Sequence, residues 1–524
     1  RKVVRGEADG LEAKARRPPR GEDARRRLAT LHHAGLVALG ALLATLVAVA
    51  ALIYFAPQGG DAVDSVAVLP FANVNSDPDT EYLSDGISEH LINQLAQLPS
   101  LRVMARTTAF TYKGKEIDPR RAGREMGVGA VLVGRLTKRD DVLHIQTELV
   151  KVEDGSRLWG GTYTRKVADL LVVQQDIASE LLQSLRLSLS GEERQQLARR
   201  YTQDAGAHQL YLRGEYHRNR ATPEDVRRAI ELFEESAARD PSYALAHAGL
   251  ALSYRSLPAY GLMLPREAYP RSKEAAERAL RLDPGLAAAR IPLASIKFVY
   301  EWKFAEAEGD YREALRLNPN HAEAHFAYAN FLTAMERFEE AAAEYKVAEQ
   351  LDPLSLNIAD GVAWSLYVAG RYDEALARCR ATLDRDPLHA QSYLHMGEIF
   401  TAQGKYDEAI AALQKARQLS HQALVEIALG HAYAVSGRRE EALQIARDYE
   451  ARVRAGRASP FLLAVIYAGL GDREAAFTWL EKSYEERSNW MALLKVGRRL
   501  QPLRSDPRFQ SLLERVGFTS ITAS

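Results

Sequence analysis

Between Asn318 and His421 the chain repeats itself every 34 residues. Pro319, Pro353 and Pro387 mark the period, and His421 falls one period further on. Twelve residues before each mark stands an alanine: Ala307, Ala341, Ala375 and Ala409. Eight before it come Tyr311, Tyr345, Cys379 and Leu413, and five before it Ala314, Ala348, Thr382 and Ala416. Two antiparallel helices need a small side chain where their axes cross, and a larger one a turn on fills the gap to the next pair. Asn318-Pro319, Asp352-Pro353 and Asp386-Pro387 close the second helix, because proline cannot continue a helix interior and restricts the residue before it. One such pair cannot bury its own apolar face, whereas stacked pairs can. The period therefore predicts a solenoid.

A 34-residue period with small-x3-large spacing and a terminal proline resembles the tetratricopeptide repeat (TPR) family. A first repeat ends at Pro241, with Ala229, Phe233 and Ser236 in place, and a second ends at Pro284. The second is stretched by an insertion at 257–270, where Pro258, Gly261, Pro265 and Pro270 predict a loop. A seventh carries Gly430, Tyr433 and Ala442, and an eighth Ala464, Tyr467 and Ala476. The expectation is about eight repeats over 207–492, then a capping segment at 493–524. That last segment, with LRSDPRFQ-x-LL at Leu503 to Leu513, resembles the terminus of proteins that join such repeats to a TolB-like domain.

The resemblance implies a concave groove lined by the first helix of each pair. Registering on the proline marks puts Phe326, Asn330 and Thr333 on that face in the fourth repeat, Asp360, Trp364 and Tyr367 in the fifth, and Gln391, Glu398 and Thr401 in the sixth. Trp364 and Tyr367 are the favoured contacts, since aromatic side chains dominate interface energetics. The expected occupant is a protein or peptide.

Upstream the periodicity changes. Ser65 to Phe71 reads as a buried strand and Glu81 to Leu98 as a helix with Ile87, Leu91, Ile92, Leu95 and Leu98 on one face. Leu101 to Ala105, Ala130 to Leu136, Leu143 to Val152 and Arg157 to Tyr163 read as strands. Asp118 to Met126 and Val167 to Leu189 read as helices, and 190–206 as a polar linker. Within this stretch stand Ala67 to Phe71 (AVLPF), Ser84-Asp85-Gly86, Leu101 to Thr107 (LRVMART), Tyr112-Lys113-Gly114, Gly129 to Gly134 and Leu158-Trp159. Together they resemble the TolB N-terminal-like domain of bacterial envelope and signalling proteins over 64–189. The resemblance implies an α/β sheet domain that binds or senses, with no known catalytic residues.

Ala34 to Phe55 is 22 residues without a charge, roughly 33 Å as a helix and enough for a bilayer core. Residues 1–33 carry ten Lys/Arg against five acids, so the positive-inside rule places them in the cytoplasm. The fold expectation is multidomain: a single transmembrane helix, an α/β sheet domain, then an all-α solenoid. The matching location is the bacterial inner membrane, single-pass, with the bulk periplasmic and the lipid bilayer contacted through Ala34–Phe55. Leu11 to Leu31 resembles the last helix of a bacterial serine/threonine kinase domain, though no kinase motif follows.

Lysine plus arginine and aspartate plus glutamate balance at 69 each, so no global charge points to nucleic acid. The single cysteine, Cys379, excludes an internal disulfide and sits at a packing position. Gly127-x-Gly129 lacks the spacing and position of a dinucleotide loop. No metalloprotease, nucleophile-elbow or phosphate-loop motif stands in the chain, so neither catalysis nor a cofactor or metal is expected of these residues. The expected function is a membrane-anchored, non-enzymatic protein-binding scaffold or sensor. Two alternatives remain: the sensory half of a transmembrane serine/threonine kinase, or a regulator whose winged helix lies upstream.

Overall fold

The computed structural model describes residues 63–518, apart from 76, 78–79, 186, 188, 198 and 200. Its first part is an α/β domain. Strands β1 (Ser65–Val68), β2 (Ala72–Asn73), β3 (Arg102–Val103), β4 (Ala130–Arg139), β5 (Val142–Lys151) and β6 (Arg157–Lys166) form one sheet. The order is β3-β1-β4-β5-β6, with β2 on β4. β1 runs parallel to β3 and β4, while β4, β5 and β6 form an antiparallel meander. Asp140 and Gly155 take positive φ at its two hairpins, the left-handed geometry that tight connections demand. Helices α1 (Glu81–Leu95) and α3 (Leu170–Ser184) cover one face, packing Ile87, Leu91, Ile177 and Leu181 on Leu132, Ile145 and Leu149. Helix α2 (Pro119–Met126) covers the other, with Ala122 and Met126 on Val131 and Val152.

Eight antiparallel helix pairs follow. They are Ala205–Arg220 with Pro223–Arg239, Ala244–Ser256 with Pro265–Leu282, Ala287–Ile296 with Phe304–Leu317, and Ala322–Ala334 with Phe338–Leu351. Then come Leu356–Ala369 with Tyr372–Arg385, Ala390–Ala402 with Tyr406–Leu419, Ala423–Val435 with Arg439–Arg454, and Pro460–Gly469 with Arg473–Glu485. The repeating residues do what their sizes dictate. Ala307, Ala341, Ala375 and Ala409 have no exposed surface, and Tyr311, Tyr345, Cys379 and Leu413 are buried beside them. Each larger side chain so buried contributes about 1.5–3 kcal/mol. Asn318, Asp352 and Asp386 each donate a backbone N–H to the carbonyl four residues back, and the proline then ends the helix. Gly361 has room for no side chain: a Cβ there would stand 2.6 Å from Phe326 and 2.9 Å from Tyr345.

Two readings of the sequence need correction. The insertion expected as a loop is half helix. Pro265 opens the second helix of pair 2 at its first turn, where no N–H is required, and Pro270 lies inside that helix. The single-pass membrane architecture, and the inner-membrane location that went with it, are also overturned. Among the described residues no helix is long and apolar enough to cross a membrane. The longest, Pro265–Leu282 at 18 residues, alternates buried alanines with Arg266, Glu267, Arg271, Lys273 and Glu274, the pattern of a helix packed on one side. Ala34–Phe55 and the basic segment before it lie outside the described residues.

The chain then turns back on itself. Two 3₁₀ helices, Asn489–Leu493 and Arg498–Leu503, precede a final helix, Pro507–Val516. Phe518 stacks on Phe304 of pair 3 with centroids 4.8 Å apart. Lys495 pairs with Glu336 of pair 4 at 3.1 Å, and Arg498 donates to the carbonyl of Val368 in pair 5 at 2.7 Å. The segment thus fastens pairs 3 to 6 as well as covering pair 8, where Arg508 and Arg515 reach Glu474 and Glu481.

Candidate ligand cleft

The turns between helix pairs grip the α/β domain. Asn320, one residue past the Asn318-Pro319 mark, donates its side-chain amide to the carbonyls of Ala96, Leu98 and Leu101 at 3.1, 3.0 and 2.9 Å. Those carbonyls lie at and beyond the end of α1, where helical partners run out. Its Oδ1 accepts from the Val103 N–H of β3 at 3.4 Å. One repeat on, Thr108 donates to Asp352 Oδ1 at 2.6 Å and accepts from the Leu354 N–H at 3.1 Å, while the Ala105 N–H reaches the Leu351 carbonyl at 2.8 Å.

A second grip is ionic. Glu89 on α1 accepts from Arg106 at 3.2 Å and from the Asn219 amide of pair 1 at 3.1 and 2.9 Å. Next to it Arg218 makes a two-pronged contact with Glu215 at 3.0 and 2.7 Å. Burial pushes the Glu89 carboxyl above the usual carboxylate range, against the pull of Arg106. Burial also opposes the Arg218 charge, but Glu215 and Glu89 outweigh it and hold the guanidinium above its ordinary value.

Between these grips opens a cleft of about 770 Å³, walled by α1 and the segment after β3 on one side and by the first helices of pairs 1 to 5 on the other. Its floor mixes Leu252, Val299, Phe326 and Ala327 with the carboxamides of Asn219, Asn330 and Asn357. Arg255 of pair 2 reaches across to Glu323 of pair 4 at 2.9 Å. Burial acts on Glu323 to raise its pKa, and Arg255, His321 and Arg218 together more than reverse this, so the carboxylate is held below its usual range. Burial lowers His90, on the α1 wall, to about 4, so it stands neutral at pH 7. The carboxylates and guanidiniums are largely matched to one another, and the carboxamides, which both donate and accept, are engaged in part, Asn219 with Glu89 and Asn330 with Tyr345. Among the described residues no group of three or more His, Cys, Asp or Glu is placed to hold a metal ion.

The nine groove residues read from the sequence divide. Phe326 and Asn330 line the cleft, with Asn330 Oδ1 accepting from Tyr345 at 2.8 Å. Thr333 is buried between pairs 4 and 5, donating to the Ala329 carbonyl with its Oγ1 2.9 Å from that of Ser365. Asp360 lies 3.4 Å from His389. Trp364 and Tyr367 sit in an apolar cluster with Val368, Ile399 and Val496 of the returning C-terminal segment, and Tyr367 is buried. Gln391 contacts His395 at 3.3 Å, and Thr401 donates to the Gly397 carbonyl at 2.7 Å. Glu398 is held by His395 and by Arg499, each at 3.3 Å. The face over pairs 5 and 6 is therefore filled in part by the chain's own C-terminal segment. The grips at Asn320, Thr108 and Glu89 escaped the sequence reading; the one available signal was that Asn320 and Leu354 follow the proline marks directly.

Residues 298–355 and 363–423 match the family model described as Tetratricopeptide repeat. A curated relative, "Putative adenylate cyclase 3" of Rhizobium meliloti (strain 1021), is 28% identical over 285 residues, 53% of this chain and 41% of its own length. The chain thus spans about two fifths of that relative. Among solved structures, Pseudomonas aeruginosa pilF is similar at 21% identity over 39% of this chain and 92% of its own, with a TM-score of 0.31. A tetratricopeptide repeat protein from Parabacteroides merdae ATCC 43184 is similar at 15% identity over 59% and 98%, with a TM-score of 0.34. Human IFIT1 is similar at 16% identity over 60% and 77%, with a TM-score of 0.41. The chain carries tetratricopeptide repeats, and these suggest a scaffold for protein–protein interaction.

Proposed function

We propose that this chain is a non-enzymatic scaffold that holds an extended segment of a partner polypeptide in the cleft between the α/β domain and helix pairs 1 to 5. The observation that carries the reading is the cleft itself: about 770 Å³, floored by apolar and carboxamide side chains from successive repeats. An extended chain needs hydrogen-bond partners at its main chain and pockets for alternate side chains, and such a floor offers both. The part of the face over Tyr367 and Glu398 is less available, since Val496 and Arg499 already occupy it. The resemblance of 64–189 to the TolB N-terminal-like domain supports the α/β domain as a binding wall rather than a catalyst. A photo-crosslinking residue at Phe326 is expected to capture a polypeptide in cells and the same probe at Trp364 to capture much less. Equal capture at both, or none at Phe326, would remove the cleft from the reading.

A second reading treats the chain as the regulatory part of a larger enzyme. It is favoured by the relative whose name includes adenylate cyclase and of which this chain spans 41%. Cyclic nucleotide formed from ATP by residues 63–518 alone would replace the scaffold reading; formation only when further segments are joined to them would favour the second.

A further inference from the structure

The sheet has two edges, and the molecule treats them differently. At β3 the solenoid covers the edge: Asn320 takes the Val103 N–H and Leu351 takes the Ala105 N–H. At β6 the edge is bare. Nine of its ten residues pair with β5, from Val142↔Lys166 to Val150↔Arg157, with Leu158 bulged out of the ladder, and among the described residues no backbone hydrogen bond joins β6 to any other strand or to the solenoid. An open row of N–H and C=O groups is a template for another strand.

Three further features shape what that strand would be. Gly160 and Gly161 stand side by side in mid-strand, where a Cβ at Gly160 would run into the Arg157 guanidinium and one at Gly161 would come within 2.6 Å of the Tyr163 hydroxyl. Glycine inside a strand weakens it, and here Arg157 and Tyr163 fold over the space that side chains would take. Leu158 at one end is among the few large apolar side chains left exposed, at 37%. Arg157, Arg165 and Lys166 are exposed, β6 itself carries no acid, and among the described residues none of the three forms an ion pair with a carboxylate. Trp159 and Tyr163 pack on the core that includes α3 and hold the strand in place.

We infer that β6 is a strand-addition site for an extended acidic segment of another protein. A second copy of this chain is the competing occupant, and charge argues against it. Antiparallel β6–β6 pairing about a twofold at Gly161 would set Arg157 opposite Arg165, and like charges facing across a ladder destabilise it. An acidic strand meets the same three cations favourably, with Leu158 as an apolar anchor at one end.

The test uses the whole chain and three synthetic ten-residue peptides of the same threonine and valine background, bearing glutamate, glutamine or lysine at alternate positions. Amide hydrogen exchange of β6 is the readout. The glutamate peptide is expected to slow exchange at the outer N–H groups of β6 about tenfold or more, with little effect from the other two. In the variant R157E/R165E/K166E the lysine peptide is expected to take over. Protection by no peptide, equal protection by all three, or protection that rises with protein concentration alone would each overturn the assignment. Far-UV circular dichroism of the variant checks that the sheet survives the charge reversal, and a folded variant whose preference stays with the glutamate peptide would also overturn it.

Discussion

Trp302, at the end of the first arm of pair 3, stacks on Tyr484 of pair 8 with ring centroids 5.3 Å apart and planes 27° from parallel. Arg487 lies over the same indole, 4.9 Å from its centroid, and donates to the Tyr300 carbonyl at 3.2 Å. The last repeat is thereby fastened to the third, and the stack is not an open row of independent units. Solenoid stability is ordinarily a sum of neighbour terms; this contact adds one between pairs that are not neighbours.

Removing it should show in cooperativity as well as stability. Trp302→Ala deletes a buried indole and is expected to cost about 3–5 kcal/mol. The double cycle with Tyr484→Ala should return a coupling of about 0.5–1.5 kcal/mol for the ring pair. Urea unfolding followed by fluorescence and circular dichroism checks both. Separate transitions for the two ends of the stack in Trp302→Ala, against one in the parent, would mark loss of the closing contact.

Asn320→Ala addresses the grip on the α/β domain. The variant leaves the carbonyls of Ala96, Leu98 and Leu101 without their shared donor. Groups left partly buried without a partner cost about 1–3 kcal/mol. Faster amide exchange is expected at the end of α1 and at Val103, with pairs 6 to 8 unchanged. An unchanged melting temperature together with unchanged exchange at Val103 would show that the grip at Thr108 and Asp352 suffices alone.

The repeats were legible because their physics is local. A 34-residue spacing of Ala341, Tyr345 and Ala348 states which helix faces meet, and the buried positions follow from size alone. The contacts that decide where a ligand can go are not local. Nothing in the neighbourhood of Val496 says that it will lie against Tyr367, and nothing near Asn320 says that it will close the end of α1. These pairings depend on how far the stack turns between one repeat and another, a sum of small rotations that no single repeat records. Trp364 and Tyr367 were therefore sound as aromatic residues of a first helix and still came to rest against the chain's own end. Pro270 shows the opposite failure: a strong local signal for a loop was overridden because Ala268, Tyr269, Ser272 and Ala275 had a face to bury.

Cys379 should be silent in the folded protein. Burial pushes its thiol up to about 12, with Asp360 and Glu398 adding to the effect. The thiolate is the reacting species. A disulfide reagent at pH 8 is expected to find no reactive thiol in the native chain and one after denaturation. Rapid native labelling would place Cys379 in a part of the stack that opens readily.

Asp360 predicts a pH dependence whose sign is unusual for a carboxylate. Burial raises its pKa from the ordinary 3.8 to about 6, against the opposing influence of His395 and His389. Between those two values the folded state binds more protons than the unfolded state, so stability falls as pH rises through the window. Below about pH 4 the group is protonated in both states and costs nothing; above about pH 6 the full penalty applies. A shift of this size corresponds to on the order of 2–3 kcal/mol. Asp360→Asn keeps the shape and removes the titration. The difference in unfolding free energy between variant and parent is expected to grow in favour of the variant from pH 4 to pH 6.5 and then to level off. Both proteins share every other titrating group, so that difference reports Asp360 together with its coupling to His389 and His395. A difference that stays flat across the range would mean that His389 and His395 hold the carboxylate ionised, and that burial does not govern the site.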